Sequence, residues 1–309
     1  MVRLLALAIG LALVLPVQGA ARDLAQFVAN GAVFLLFFLN GLRLPRGDVR
    51  AGMGNHRLLW PLVGWVFGAM GLAGWLLWQG GQGWMPHLLA LGFLYLGCLP
   101  STVQSATAYS SLAGGNVASS VVAAALLNIL GVFITAPLFS LLAGSGAAEF
   151  RAEGLVKVVT ILLIPFLLGQ ALQGKLGAWV AGHRPLVTRM DRTSIAIAVY
   201  VAFSGAVVQR FWERIDAVGW TWLVGGTALF LVFGHFGAWL VGGSVRLDRA
   251  NRISFLFAGA QKSIAMGAPL ATVLFAPAAA GIVLLPILLY HLVQLVIAAP
   301  IAARLNRPA

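Results

Sequence analysis

The stretch LPSTVQSATAYSSLAGGN, residues 99–116, interrupts a chain that is otherwise strongly apolar. Pro100 removes a backbone donor and frees the carbonyls of the turn before it. Ser101, Thr102, Gln104, Ser105 and Thr107 follow at once. In hydrocarbon, freed backbone groups persist only where they are buried in protein or line a cavity. The stretch therefore predicts a membrane helix broken at Pro100, with hydroxyl and amide oxygens gathered at the break. Ordinary helix packing by small hydroxyl residues is the better reading for Ser110, Ser111 and Ser119. The Gly114-Gly115-Asn116 run predicts a tight turn into the next segment.

Composition supports a membrane setting. Of 309 residues, 61% are hydrophobic and 9% charged, and the mean hydropathy is +0.95. A soluble domain carries about a quarter charged residues, so the chain is expected to be an all-α polytopic membrane protein. Crossing a bilayer takes ~20 apolar residues. Ten apolar segments are expected, at about 4–19, 24–42, 58–79, 85–112, 116–143, 153–173, 191–209, 218–242, 251–275 and 281–303. The first also has the basic start, short apolar run and small residues near position 20 of a cleaved signal peptide, and both readings stand.

The formal charge of +12 does not indicate a nucleic-acid partner, because the basic residues sit in short loops between apolar segments. Fourteen Lys and Arg fall on the side shared by both termini and five on the other. By the positive-inside rule both termini are expected in the cytoplasm. The single Cys98 rules out an intramolecular disulfide and a cysteine metal cluster.

The twentieth cation, Lys262, lies inside a segment. At mid-span it costs at least ~2.5–3.5 kcal/mol, which by default marks function. No Asp or Glu is expected at the same depth, so carbonyls or an anionic substrate must meet the charge, or the lysine must be neutral. An internal repeat points to the same place. NILGVFITAP ends at Pro137 and HLVQLVIAAP at Pro300, 163 residues apart, and Asn128 and His291 share that offset. Five segments per repeat, 1–143 and 153–303, require the second copy to be inverted. Inverted repeats characterise secondary transporters that bind cargo where two broken helices meet near the midplane. The offset carries the break at Pro100 to FAGAQKSIAMGAP, with Gln261, Lys262 and Ser263.

Together, LPSTVQSA, AGGNVASS and AGAQKSIAMG resemble the bile acid:sodium symporter superfamily, most closely its bile-acid-symporter-like branch, over essentially the whole chain. The resemblance implies ten helices, with a panel domain of spans one, two, six and seven. The core domain is implied to hold spans three to five and eight to ten, in which broken helices four and nine cross. It implies sodium around Ser105, Thr107, Ser120 and Gln261. The chain departs from the family pattern in two ways: Phe257 stands where a sodium-bridging glutamate is expected, and Ala124 where a threonine is. Lys262 replaces an asparagine, so an ammonium stands where one sodium would bind.

The expectation is a carrier of the bacterial inner membrane that moves a small organic anion with sodium. It is expected to need no cofactor beyond its coupling ion. Pro100, Ser101, Thr102, Gln104, Ser105, Thr107, Ser120, Asn128, Gln261, Lys262, Ser263 and His291 are the site candidates. Two alternatives are a proton-coupled carrier in which Lys262 gives up its proton, and a non-transporting membrane regulator. No acidic pair, HExxH or nucleophile elbow suggests an enzyme.

Overall fold

The computed structural model describes residues 2–43, 55–144 and 159–306. Regular structure among them is helical, with no strands. In chain order the helices are α1 (Val2–Val14), α2 (Ala20–Arg43), α3 (His56–Val63), α4 (Met70–Gly81), α5 (His87–Cys98), α6 (Val103–Leu112), α7 (Val117–Ala143), α8 (Ile164–Gly182), α9 (Arg184–Val208), α10 (Ala217–Ser244), α11 (Arg249–Ala260), α12 (Ile264–Leu274) and α13 (Pro277–Leu305). Two π-helical turns, Gly64–Ala69 and Val159–Leu163, lead into α4 and α8. Seven helical stretches are long and apolar enough to cross a bilayer. The bent pair α5 and α6 makes an eighth.

Some elements differ from their expected bounds for local reasons. The first segment stops being helical at Val14 because Pro16 disfavours helical backbone in the residue before it. Gly19 then turns the chain at φ +58°. At 13 residues, α1 spans about 20 Å, less than the ~30 Å hydrocarbon thickness. Conversely, α8 runs nine residues past its expected end and α9 begins seven earlier. Nothing in the polar stretch between them stops a helix until His183, and Pro185 then sits in the first turn of α9, where its missing donor costs nothing. The expected start at 153, with Arg46, Arg50, Arg151, Lys157 and Arg307, lies outside the described residues.

The chain divides into two compact units. The first comprises Met1–Arg46, Ser145–Asp216 and Gly267–Leu284. Within it α2 packs on α8 and α9. A Cβ on Gly41 would lie 2.2 Å from the Phe166 carbonyl, and one on Gly169 equally close to that of Phe38, so the two backbones touch where neither has a side chain. Leu39, Leu42, Val180 and Val187 form a buried cluster beside them. Arg43 and Asp191 form an ion pair at the end of α2.

The second unit comprises Gly47–Gly144, Ala217–Met266 and Leu285–Ala309. Here α5 ends at Cys98, residues 99–102 are extended, and α6 departs at 61°. Gly131 of α7 makes room for the break, since a Cβ there would meet the Pro100 ring at 2.6 Å. The turn after α6 forms as its sequence suggests. Gly114 adopts φ +75°, and the Asn116 side chain caps α7 by accepting from the Ser119 amide at 3.1 Å. A second interruption, Gln261–Ser263, separates α11 from α12.

Candidate functional site: two helix breaks in contact

The two interruptions meet. The Ser263 amide donates to the Pro100 carbonyl at 3.0 Å, and the Ser105 hydroxyl donates to Gln261 Oε1 at 2.6 Å. Residues 156 and more apart in sequence thus share one small volume in the second unit.

Lys262 lies at the centre and is 1% exposed. Its ammonium donates to the carbonyls of Leu99 (2.7 Å), Gly97 (2.9 Å) and Val66 (3.1 Å). A lysine has three N–H donors, and all three are used. Each acceptor is available because a helix fails locally. Gly97 and Leu99 lose their helical donors to the extended stretch around Pro100, and their oxygens lie at the negative end of α5. Val66 lies in the π-helical turn, whose wider repeat displaces the carbonyl ladder. In this conformation three carbonyls meet the charge and take every donor of the ammonium.

The lysine backbone is held as firmly as its side chain. Gln294 on α13 accepts from the Lys262 amide through Oε1 at 2.8 Å and donates to its carbonyl through Nε2 at 3.0 Å. The Tyr290 hydroxyl donates to the Ala260 carbonyl at 2.6 Å. Neither Gln294 nor Tyr290 is among the sequence candidates. His291 is, but it stands one step out, its Nδ1 within 2.9 Å of Gln294 Nε2.

The remaining candidates separate into three groups. Asn128 supports the first break, donating through Nδ2 to the carbonyls of Ser101 (2.7 Å) and Ala124 (2.8 Å). Ser263 caps α12, its hydroxyl accepting from the Met266 amide at 3.2 Å. Ser101 Oγ, Thr107 Oγ1, Ser120 Oγ and Gln261 Nε2 form the third group, buried with no hydrogen-bond partner. Buried polar atoms are nearly always satisfied, so this group suits a polar guest. The two ends of a Gln amide are alike in shape, and turned over, Gln261 offers an oxygen where its nitrogen lies. Gln104 is exposed and Thr102 half-buried, with no capping contact from Thr102 to α6, so these two stand apart from the group.

At the position of the family's glutamate, the Phe257 ring lies against Tyr109 with centroids 5.9 Å apart. Tyr109 in turn donates to the Leu295 carbonyl at 2.7 Å. Apolar packing and a phenol fill that place.

The sequence profile of the SBF-like CPA transporter family matches residues 1–307. The chain belongs to this family. Proteins similar to it include the uncharacterized protein PA2026 of Pseudomonas aeruginosa, 36% identical over 96% of this chain and 90% of its own length. YfeH of Escherichia coli (strain K12), provisionally named a symporter, is 35% identical over 94% of this chain and 88% of its own. The Sodium/bile acid cotransporter 7 of Rattus norvegicus is 21% identical over 86% and 79%. The chain is accordingly a multi-span protein of a transporter family, and not an enzyme. As a member of the SBF-like CPA transporter family, it carries at its helix crossing a lysine ammonium seated among backbone carbonyls.

Proposed function

We propose that this chain is a secondary-active carrier that moves a small organic anion with sodium by alternating access, with the crossing of its two broken helices as the transport centre. The observation that carries the reading is the carbonyl cage around Lys262. Three backbone oxygens converging on one point form a seat for a monovalent cation, and a tethered ammonium fills it. Lys262 is thus a permanent counter-charge in one cation position. The oxygens of Ser101, Ser105, Thr107, Ser120 and Gln261 are left to hold a single sodium as cargo. The orphaned hydroxyls support that assignment, because hard oxygen donors without partners are what sodium requires.

The fixed positive charge and the N-terminal end of α6, with its unmet N–H groups, make the same region favourable to an anion. Support for two inverted repeats of five spans, 1–143 and 153–303, comes from the way each break is served. Asn128 pins the first and Gln294 the second, from helices that each carry one of the matched prolines, Pro137 and Pro300. A panel of the first, second, sixth and seventh spans is supported by the way α1, α2, α8 and α9 gather in one compact unit. The carrier acts in the bacterial inner membrane, with both termini in the cytoplasm.

A second reading rests on the same cage. A neutral amine has only two donors, so loss of the Lys262 proton leaves one carbonyl unmet and loosens the crossing. That would couple transport to protons.

Thermal unfolding of the purified protein in sodium, potassium and choline chlorides at equal ionic strength separates the two. A site filled at 100 times its dissociation constant adds about 2.7 kcal/mol. A sodium-specific rise in midpoint, lost in Gln261→Ala and Ser105→Ala, is the expected result. No sodium effect, together with a pH-dependent shift that disappears in Lys262→Ala, would overturn sodium coupling in favour of protons.

A further inference from the structure

A cavity in the second unit is lined by none of the residues that meet at the two helix breaks. It is a groove of about 560 Å³ between α10 and α13, floored by Leu256 of α11. Along α10 it runs from Val224 to Trp239, and along α13 from Leu289 to Leu305. At 1.5 Å per helical residue each wall is roughly 22–24 Å long, more than one leaflet of a ~30 Å hydrocarbon core. The walls are nearly free of polar atoms. The Thr227 hydroxyl is spent on the Leu223 carbonyl at 2.6 Å, and His235 Nδ1 lies 2.9 Å from the Leu231 carbonyl. Val224, Val232 and Phe236 are each more than half exposed along the opening.

One end of this groove is strongly basic. The Arg252 guanidinium stacks 3.9 Å from the centre of the Trp239 ring and donates through Nε to the Trp239 carbonyl at 2.9 Å. Arg249 donates through Nη2 to the Leu305 carbonyl at 2.6 Å. Trp239 and Leu305 are the last groove residues on their helices, so both arginines are fixed at its mouth. Arg246 and Arg304 are exposed nearby in sequence. Among the described residues none of the four is ion-paired. Asp248, the acid between them, accepts instead from the Asn251 amide and side chain.

We propose that this groove is a binding site for an anionic phospholipid. One acyl chain lies between α10 and α13, and the phosphate headgroup is held by Arg249 and Arg252. Each guanidinium has five donors and spends one on backbone, leaving the planar fork that grips phosphate. An apolar slot of chain length ending at a tryptophan and two paired arginines matches a lipid at both ends. Basic pockets between membrane helices are where anionic headgroups bind, and tryptophan favours headgroup depth.

The test is a thermal-unfolding titration of the full-length detergent-solubilised protein. Phosphatidylglycerol, phosphatidylcholine of the same chains, and chainless glycerophosphoglycerol are added in turn. The expected result is a midpoint rise of several degrees with phosphatidylglycerol, at least twice that with phosphatidylcholine, and none with glycerophosphoglycerol. The phosphatidylglycerol-specific part should vanish in the double variant Arg249→Gln/Arg252→Gln. It should also vanish in Ala228→Phe, which fills the groove from an exposed position and leaves every arginine in place. It should persist in Arg184→Gln, in the other unit. Equal responses to the two lipids, survival of the specific rise in Ala228→Phe, an equal rise with glycerophosphoglycerol, or loss in Arg184→Gln would each overturn the proposal. The first removes the role of the anionic headgroup, the second removes the slot, and the last two leave only diffuse attraction of charge.

Discussion

The two helix breaks are made in different ways. The first is covalent. Pro100 has no N–H to give, the residue before it is barred from helical backbone, and Gly131 leaves space for its ring. The second, Gln261–Ser263, contains no proline and no glycine. Outside groups hold it open: Gln294 occupies both backbone groups of Lys262, and the Pro100 carbonyl takes the Ser263 amide. One break is written into its own residues, while the other is imposed by its neighbours. The second is therefore the one that single side-chain changes can undo.

The largest effect is expected at Lys262. Lys262→Met keeps the apolar stem but leaves three buried carbonyls unmet, each worth about 1–3 kcal/mol. The melting midpoint should fall by more than in any other variant here, and ammonium chloride should restore part of it where tetramethylammonium chloride does not. A variant that melts like the parent would mean that the ammonium does not fasten the crossing. Next comes Gln294→Leu, which strips both backbone partners from Lys262 for a loss of roughly 2–3 kcal/mol. Amide exchange at Lys262 should accelerate while that at Leu99 stays slow. Equal acceleration at both positions would erase the distinction between the breaks.

Gly131→Ala probes the covalent break by pressing a methyl into the Pro100 ring. Overpacking of this kind costs about 1–3 kcal/mol, and the expected loss sits at the low end because the ring can shift with its extended segment. The smallest effect concerns entry to the second arm. Asp248 caps α11, and its carboxyl is held below the usual carboxylate range by the Asn251 amide first and then by the Asn251 side chain. A depressed carboxylate stabilises at pH above its unfolded value, near 3.9, and that contribution is lost as the pH falls through the lower folded value. Exchange of the Asn251 amide should rise only in that acid window, with no change in Asp248→Asn.

The same contrast explains what could be read from the letters alone. The first break and Lys262 were legible because a proline, a run of hydroxyls and a cation are conspicuous in apolar sequence. Phe257 in place of a glutamate was legible only through the family resemblance, which sets that glutamate four places before Gln261. The cage itself was not, because carbonyl oxygens belong to every residue and leave no mark on sequence. Val66 becomes an acceptor only through a π-helical turn in the ordinary-looking letters GWVFGA. Gln294 was visible as a polar residue within its span, but the repeat offset pairs Asn128 with His291 and so pointed one turn too early along α13. The extents of α8 and α9 escaped because an apolar window measures the bilayer, whereas the helix continues until something stops it.

The π-helical turn at Gly64–Ala69 also acts as a phase setter. A single residue advances an α-helix by about 100°, so the turn fixes the rotation of everything after it on α4. Gly74 faces Gly97 closely enough that a Cβ would meet backbone at 2.6 Å, and that alignment depends on the turn's extra residue. Deleting any one residue between Gly64 and Ala69 would leave composition and hydropathy almost untouched. It would nonetheless swing Trp78 and Gly74 a quarter-turn around the axis, and it would seal the Val66 oxygen into an unbroken helix. In this chain a length change of one residue is a larger mutation than most substitutions.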